Sequence, residues 1–148
     1  MLKEQISASL EDYLEAIYKI IEEKHGVKAI EVSRRLGVGR SSVTEALKTL
    51  ASKKLVNYGR YDVISLTPEG EKAAMKVILK HTIRYEFFTD VLGVYPEDAH
   101  ENACRVELVI SENVLKRFAS FIEFNKNFNS QRNDFKKFFE EMNNEKTV

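Results

Sequence analysis

Side chains of the types that bind transition metals occur at two places along this sequence, with a histidine between them. Asp12 and Glu15 are three residues apart near the start. Cys104 and Glu107 repeat that spacing much later, and His81 lies between the two pairs. Residues three apart share one face of a helix, and carboxylate, imidazole and thiolate groups are ordinary ligands of divalent metals. The pattern therefore indicates a metal site.

Each of these groups also has a simpler explanation. A carboxylate at Asp12 is favourable in the first turn of a helix, where it faces the positive end of the helix dipole. Cys104 could pack as a small apolar side chain in a core, and a single histidine is usually not a ligand. From the residue types alone, both explanations stay open.

The residues up to Leu66 predict three helices and a β-hairpin. Apolar residues at helical spacing follow Ser9, which we expect to cap the first helix. A serine just after Arg40 is expected to cap the third helix. The pattern places the helices at about 9–26, 29–36 and from 40 onward, and the strands at 56–58 and 63–66.

A helix-turn-helix followed by a hairpin is the outline of a winged helix-turn-helix DNA-binding domain, in which the second helix of the motif enters the major groove. Val43, Leu47 and Leu50 of that helix are expected to face inward, which leaves its polar and basic side chains outward. The tip of the hairpin suits the DNA backbone or the minor groove. The residues expected to contact DNA are Arg34, Arg40, Ser41, Ser42, Thr44, Lys48, Arg60 and Tyr61.

The charge of this region supports the same interpretation. The chain carries 23 basic and 23 acidic residues and is neutral overall. Between Lys28 and Arg60, however, eight basic residues face two acidic ones, Glu31 and Glu45, for a net charge of +6. A local positive patch attracts phosphates. A solvated helix face, or a winged helix used for protein contacts, is the alternative.

The second half of the chain is predicted to be helical. Thr67 and Pro68 form the start of a long helix, with threonine as the N-cap and proline in the first turn. The pattern places this helix at about 68–92, further helices at about 96–110 and from 111 onward, and a last one at about 130–142. The fold class is therefore mostly α: a winged helix-turn-helix DNA-binding domain over residues 1–70, followed by an α-helical domain over residues 71–148.

Composition limits the function further. A single cysteine excludes an internal disulfide framework, and no apolar run is long enough for a membrane span. The first residues lack the apolar segment of a signal peptide, so we expect a cytoplasmic protein without membrane partners. Nine phenylalanines concentrate in the C-terminal half, where they indicate a homodimer interface or the core of the protomer. An enzyme is not expected, because no nucleophile–base pair and no glycine-rich phosphate loop occurs.

Several sequence blocks resemble those of a known family. They are SLEDYLEAIYKIIEE, RSSVTEALKTLASKKLV, LTPEGEKAA, KHTIRYEFFTDVLGV and HENACRVELVIS. In order and spacing they are similar to the diphtheria-toxin-repressor family of metal-dependent transcriptional repressors, and within it to the short manganese transport regulators. The resemblance covers nearly the whole chain and lacks only the SH3-like third domain of longer members. It implies a short, two-domain member, in which residues 71–148 form a helical metal-binding and dimerisation domain.

The resemblance also implies the ligands of the metal. By position, Asp12 and Glu15 match the ligands on the N-terminal helix, and His81 matches the histidine of the linking helix. Cys104 and Glu107 match two ligands on the next helix, with cysteine as in the iron branch. A further, weaker candidate is His100, which falls where the iron branch has a histidine of its ancillary site. In the family, metal binding sets the spacing of the two DNA-reading heads of a dimer.

Two positions depart from the family pattern. Leu108 stands where the family has a histidine, and Tyr85 stands where the iron branch has a glutamate of its ancillary site. We therefore expect one main metal site. Carboxylates favour Mn²⁺, whereas a thiolate favours Fe²⁺ or other softer ions, so the expected cofactor is Fe²⁺ or Mn²⁺, with a preference for Fe²⁺.

The resulting hypothesis is a homodimeric repressor that binds operator DNA, with the metal as corepressor, and that controls genes of metal homeostasis. The alternative is a winged-helix regulator that has lost metal control or that senses redox state through Cys104.

Overall fold

The computed structural model describes residues 6–24, 26–59, 61, 63–128 and 134–144. These residues form helices and one small sheet, so the predicted mostly α class is confirmed. The chain divides into two compact units, Met1–Ile78 and Leu79–Val148. The predicted domain boundary after residue 70 stays a prediction.

The first unit contains three helices, three short strands and the beginning of a fourth helix. In chain order these are α1 (Ala8–Lys24), β1 (Val27–Lys28), α2 (Ala29–Leu36), α3 (Arg40–Ser52), β2 (Val56–Tyr58), β3 (Val63–Leu66) and α4 (Pro68–Glu86). The strands pair antiparallel in the order β1-β3-β2, with Val27 opposite Ile64 and Val56 opposite Leu66. The sequence pattern missed β1 because two residues are too few to show alternation.

The second unit begins within α4 and continues as helices. The elements are a π-helical turn (Phe87–Val91), α5 (Pro96–Val106), α6 (Glu112–Phe128) and α7 (Asp134–Asn144). The predicted long helix therefore changes its hydrogen-bonding pattern at Phe87. The helix after Pro96 ends at Val106, four residues earlier than expected. Of the predicted last helix, the part at residues 130–133 lies outside the described residues. No helix in the described ranges is both long and apolar enough to cross a membrane.

The core of the first unit explains why α3 presents a polar face. Val43, Leu47 and Leu50 have no exposed surface and pack with Leu14 and Ile17 of α1. Each buried leucine contributes about 1.5–3 kcal/mol of transfer free energy, so this face of α3 is strongly fixed inward. The predicted inward positions are confirmed, and the opposite face of α3 is left to solvent.

Two predicted helix caps are wrong. The hydroxyl of Ser7, not that of Ser9, accepts a hydrogen bond from the backbone N–H of Leu10 at 3.3 Å at the start of α1. The N-cap of α3 is Gly39, without a side-chain hydrogen bond. Because the helix begins one residue before the first serine, Ser41 lies within the first turn, where it cannot act as an N-cap.

The ends of α2 are fixed by local interactions. The Glu31 carboxylate accepts a hydrogen bond from the backbone N–H of Lys28 at 3.0 Å. That bond, with a second from the Lys24 ammonium, holds the pKa of Glu31 below its usual value. At the other end Gly37 adopts a left-handed conformation with φ of 64°, as glycine readily does. The predicted helix end at Gly37 is confirmed.

The start of α4 is held tightly against the segment between α3 and β2. The Thr67 hydroxyl accepts a hydrogen bond from Gly70 N–H at 3.0 Å and donates one to the Lys54 carbonyl at 2.7 Å. The predicted N-cap Thr67 is therefore confirmed. A Cβ atom on Gly70 would lie 1.8 Å from the carbonyl oxygen of Leu55, so only glycine fits at this position.

In the second unit, some aromatic side chains pack against each other and others are exposed. The rings of Phe87 and Phe118 stack with centroids 3.9 Å apart and an interplanar angle of 6°. By contrast, Phe135, Phe138 and Phe139 of α7 are 46%, 57% and 57% exposed. Within the described residues, these α7 rings therefore do not fill the core of the protomer.

We expect Gly70→Ala to lower the free energy of unfolding by about 1–3 kcal/mol or more, because backbone must move to accommodate the new methyl group. Gly26→Ala is the matched control, since a Cβ there meets nothing within 4 Å and should change stability by less than about 1 kcal/mol. Urea denaturation followed by circular dichroism measures both. Equal stability of the two variants would contradict the close approach at Gly70.

Candidate functional site

Three potential metal ligands come together in the second unit. His81 lies on α4, and His100 and Cys104 lie one helical turn apart on α5. One ligand atom from each of the three side chains lies within 4.8 Å of the other two. The two imidazole rings meet edge to face, with centroids 5.4 Å apart at 72°. We call these three residues the His₂Cys cluster.

The geometry and chemistry of the His₂Cys cluster fit a divalent metal. A tetrahedral ion with Zn–N bonds of about 2.0–2.1 Å and a Zn–S bond of about 2.3 Å holds its ligand atoms roughly 3.3–3.8 Å apart. Because no separation exceeds 4.8 Å, the adjustment required is at most about 1.5 Å, within the reach of side-chain rotation. Three protein donors leave at least one coordination position for a further ligand. Two nitrogens and one sulfur suit Fe²⁺, Co²⁺ and Zn²⁺ better than Mn²⁺.

The exposure of Cys104 tests whether it is a buried apolar side chain, the simpler explanation given above. Cys104 is exposed and forms no disulfide, so the interpretation of Cys104 as a buried apolar side chain is wrong. His100, the weakest candidate from the sequence, lies on the same side of α5 as Cys104 and beside the ring of His81. The i, i+4 spacing of His100 and Cys104 was the signal in the sequence that could have joined them.

Glu107 is engaged elsewhere among the described residues. It directly follows α5, and its carboxylate lies 3.2 Å from the guanidinium of Arg84 on α4. The Arg84 side chain is only 4% exposed, and that of Glu107 is 17% exposed. Sequence reasoning missed Arg84, although it follows His81 at the same spacing at which Glu107 follows Cys104.

The two other predicted ligands belong to the first unit. Asp12 and Glu15 both lie on α1, where Asp12 is exposed. The Glu15 carboxylate forms an ion pair with Lys19 one turn further along the helix. The role of these two carboxylates as ligands stays a prediction.

The predicted DNA-reading surface lies on α2, α3 and the hairpin of the first unit. Its exposed members are Arg34, Arg40, Ser41, Ser42 and Lys48. Thr44 is half-buried, and its hydroxyl donates a hydrogen bond to the Arg40 carbonyl at 3.0 Å. Tyr61 at the tip of the hairpin is 91% exposed, whereas Arg60 lies outside the described residues.

The two neighbouring arginines of α2 have different surroundings. Arg35 makes two parallel hydrogen bonds to the Glu23 carboxylate on α1, at 3.0 and 2.8 Å. This pairing lowers the pKa of Glu23 and raises that of Arg35. Arg34, Arg40 and Lys48 form no ion pair with other described residues. Their charges remain available for phosphates, while Arg35 links α2 to α1.

Known proteins match both halves of the chain. Residues 5–63 match the N-terminal DNA-binding domain of iron-dependent repressors, and residues 67–133 match their metal-binding and dimerisation domain. An uncharacterized HTH-type transcriptional regulator of Methanocaldococcus jannaschii is 37% identical over 80% of this chain and 95% of its own length. The chain belongs to the iron-dependent repressor family. The predicted resemblance to the diphtheria-toxin-repressor family is thereby confirmed.

Further comparisons agree with this assignment. The transcriptional regulator MntR of Salmonella typhimurium is 36% identical over 77% of this chain and 72% of its own length. A solved manganese-dependent transcriptional repressor in complex with manganese has 27% identity and a TM-score of 0.69 over 78% of this chain. Our chain covers 53% of that solved chain, about half its length. This family member is thus a metal-dependent transcriptional regulator with a divalent metal cofactor, and the alternative of a regulator without metal control is not favoured.

We expect Zn²⁺ or Co²⁺ to protect Cys104 from iodoacetamide, because a metal-bound thiolate is a poor nucleophile toward the reagent. Mass spectrometry reports this directly, since Cys104 is the only cysteine. Cobalt should also give a sulfur-to-metal charge-transfer band that Cys104→Ser abolishes.

His81→Ala and His100→Ala should weaken metal binding by at least about 10-fold, because even outer partners of a metal ligand are worth about 10–100-fold. Asn102→Ala, an exposed position on the same helix, is the matched control. Full protection in either histidine variant would argue against the His₂Cys cluster as a binding site.

Proposed function

We propose that this repressor binds operator DNA as a homodimer and that a divalent metal held by His81, His100 and Cys104 is its corepressor. The observation that carries the proposal is the His₂Cys cluster, which lies in the part of the chain that matches a metal-binding and dimerisation domain. The proposed site of action is the cytoplasm.

The DNA half of the proposal rests on the surface of α2 and α3. Arg34, Arg40 and Lys48 are exposed cations without ion pairs to described residues. Ser41 and Ser42 lie in the first turn of α3, where hydroxyls and backbone N–H groups suit phosphate oxygens. A helix of this width fits the major groove, so α3 is the proposed recognition helix.

The homodimer follows from the logic of operator recognition. Two recognition helices related by two-fold symmetry read two half-sites about one DNA turn apart. The family match assigns dimerisation to residues 67–133. A ligand that favours one arrangement of the two reading heads raises operator affinity, and operator DNA must then tighten metal binding by the same factor.

The donor set bears on the physiological metal. A thiolate and two imidazoles favour Fe²⁺ over Mn²⁺, and Fe²⁺ is the proposed corepressor. Asp12, Glu15 and Glu107 remain predicted ligands. If the α1 carboxylates bind the metal, Asp12→Asn and Glu15→Gln will weaken metal-dependent DNA binding and leave the cobalt–thiolate band in place.

The proposal is tested by measuring DNA binding with and without metal. A duplex selected from a randomised pool by the metal-loaded protein serves as the probe, in anaerobic fluorescence anisotropy with Fe²⁺, Mn²⁺ or Co²⁺. We expect metal to raise the affinity at least about 5-fold, the lower end of ordinary coupling between sites. Cys104→Ser should lose that gain and keep the affinity of the metal-free protein. Equal binding of the duplex with saturating metal and with chelator would refute the corepressor role.

The assignment of the reading surface has its own test. Arg40→Ala and Lys48→Ala should each reduce the slope of log affinity against log salt by about 0.9, the loss of one phosphate contact. Lys116→Ala removes a positive charge from an exposed position on α6 and serves as the control. The control should leave the slope unchanged, and a similar drop in all three variants would instead point to a non-specific effect of net charge.

A further inference from the structure

The outward face of α3 carries one acidic residue among its polar and basic side chains. That residue is Glu45, and it is exposed. Its helical neighbours three and four residues away are exposed or half-exposed in the same way: Ser41, Ser42, Lys48 and Thr49. Residues at these spacings lie side by side on a helix surface. Because Val43, Leu47 and Leu50 hold the opposite side of α3 in the core, Glu45 lies near the centre of the face that is proposed to read DNA.

Among the described residues, no hydrogen bond or ion pair explains the carboxylate of Glu45. The other acidic residue of this basic region, Glu31, accepts hydrogen bonds from the backbone N–H of Lys28 and from the Lys24 ammonium, so it stabilises the start of α2. Glu45 forms no ion pair with a described residue, not even with Lys48 one turn away, and its carboxylate accepts no hydrogen bond from one. Unlike Glu31, Glu45 therefore has no role in holding the described elements together that would account for its negative charge.

A carboxylate in this place opposes DNA binding unless it finds a partner on the DNA. It repels the phosphates that Arg40 and Lys48 are proposed to bind, and this repulsion acts on every DNA sequence alike. An ionised carboxylate can only accept hydrogen bonds. In the major groove the donors available to it are the exocyclic amino groups of cytosine and adenine, whereas guanine and thymine present acceptors there. Glutamate pairs in particular with the N4 amino group of cytosine.

From these observations we propose that Glu45 determines the base specificity of this repressor by accepting a hydrogen bond from the N4 amino group of a cytosine in each operator half-site. The inference rests on the proposed DNA-binding function of α3 and deepens it. A cytosine at the right position offsets the repulsion between the carboxylate and the phosphates, while unrelated DNA leaves that repulsion in place. Glu45 thus raises the ratio of specific to non-specific affinity, which decides where a repressor binds in a genome.

Selection from a randomised pool of DNA duplexes identifies the base. The full-length chain is loaded anaerobically with Co²⁺, and wild type, Glu45→Ala and Glu45→Gln each select duplexes that are then sequenced. We expect wild type to prefer cytosine at one position of each half-site and Glu45→Ala to accept all four bases there. Glu45→Gln should shift the preference to adenine, whose N6 and N7 atoms match the amide group of glutamine. Glu123→Gln removes a charge from an exposed position on α6 and, as the matched control, should select the same duplexes as wild type.

Affinity measurements separate base reading from a general effect of charge. Fluorescence anisotropy at one fixed salt concentration compares the duplex selected by wild type with a duplex of the same composition in scrambled order. Glu45→Ala should bind the scrambled duplex more tightly than wild type does, because the repulsion of phosphate is gone. The ratio of its affinities for the selected and the scrambled duplex should fall at least about 5-fold, the smallest usual effect of one lost base contact. Since Glu45 is exposed, the circular dichroism spectrum should not change.

Four results would overturn the inference. An unchanged base preference in Glu45→Ala would show that no base contacts this side chain, and a lost preference for a base other than cytosine would show that the assigned contact is wrong. An equal gain in affinity for both duplexes would leave Glu45 as a simple repulsive charge. An equal loss of affinity for both, or a changed circular dichroism spectrum, would leave it as a structural residue. If wild type enriches no duplex at all, the proposed DNA-binding function is refuted instead.

Discussion

The meeting of α4 and α5 is the contact on which the metal chemistry of this protein depends. His81 on α4 lies against His100 on α5, with the rings edge to face, and Cys104 completes the group one turn further along α5. The three donors come from two helices and lie within 4.8 Å of one another. One turn further along the same faces, Arg84 and Glu107 join the two segments through a largely buried ion pair. The contact between α4 and α5 therefore brings together the three donor atoms that could bind a metal.

The DNA-reading face of the first unit is the complement of its core. Burial of Val43, Leu47 and Leu50 fixes one side of α3 inward, so the polar side chains on the opposite side face solvent. The net charge of the region does not show which of its cations are available to bind phosphate. Arg35 is held by Glu23 in a two-bond ion pair, whereas Arg34 one residue earlier is exposed without such a partner among the described residues. A single residue step around the helix separates a structural arginine from one available to phosphate.

The donor atoms of the His₂Cys cluster bear on the choice of metal. Manganese is a hard ion that favours oxygen ligands, while iron, cobalt and zinc accept nitrogen and sulfur readily. A cluster of two imidazoles and a thiolate, with Glu107 paired to a guanidinium, leans away from manganese. Relatives named for manganese share the family with this chain, but the metal of this chain depends on its own donor atoms. The donor atoms of this chain are the better guide to its metal.

The sequence by itself determined most of the elements, the family and the list of metal-type residues, because helical periodicity, turn residues and local charge are properties of neighbouring positions. It placed the inward face of α3, the end of α2 at Gly37 and the cap at Thr67 correctly. It misplaced the caps of α1 and α3, which differ from their alternatives by only one or two residues. The tertiary structure decided the rest: that His100 stands with His81 and Cys104, that Arg84 engages Glu107, and that Gly70 admits no side chain beside Leu55. Each of these contacts joins residues that are far apart in the chain or lie on different elements. Such contacts depend on how the elements pack and not on local sequence.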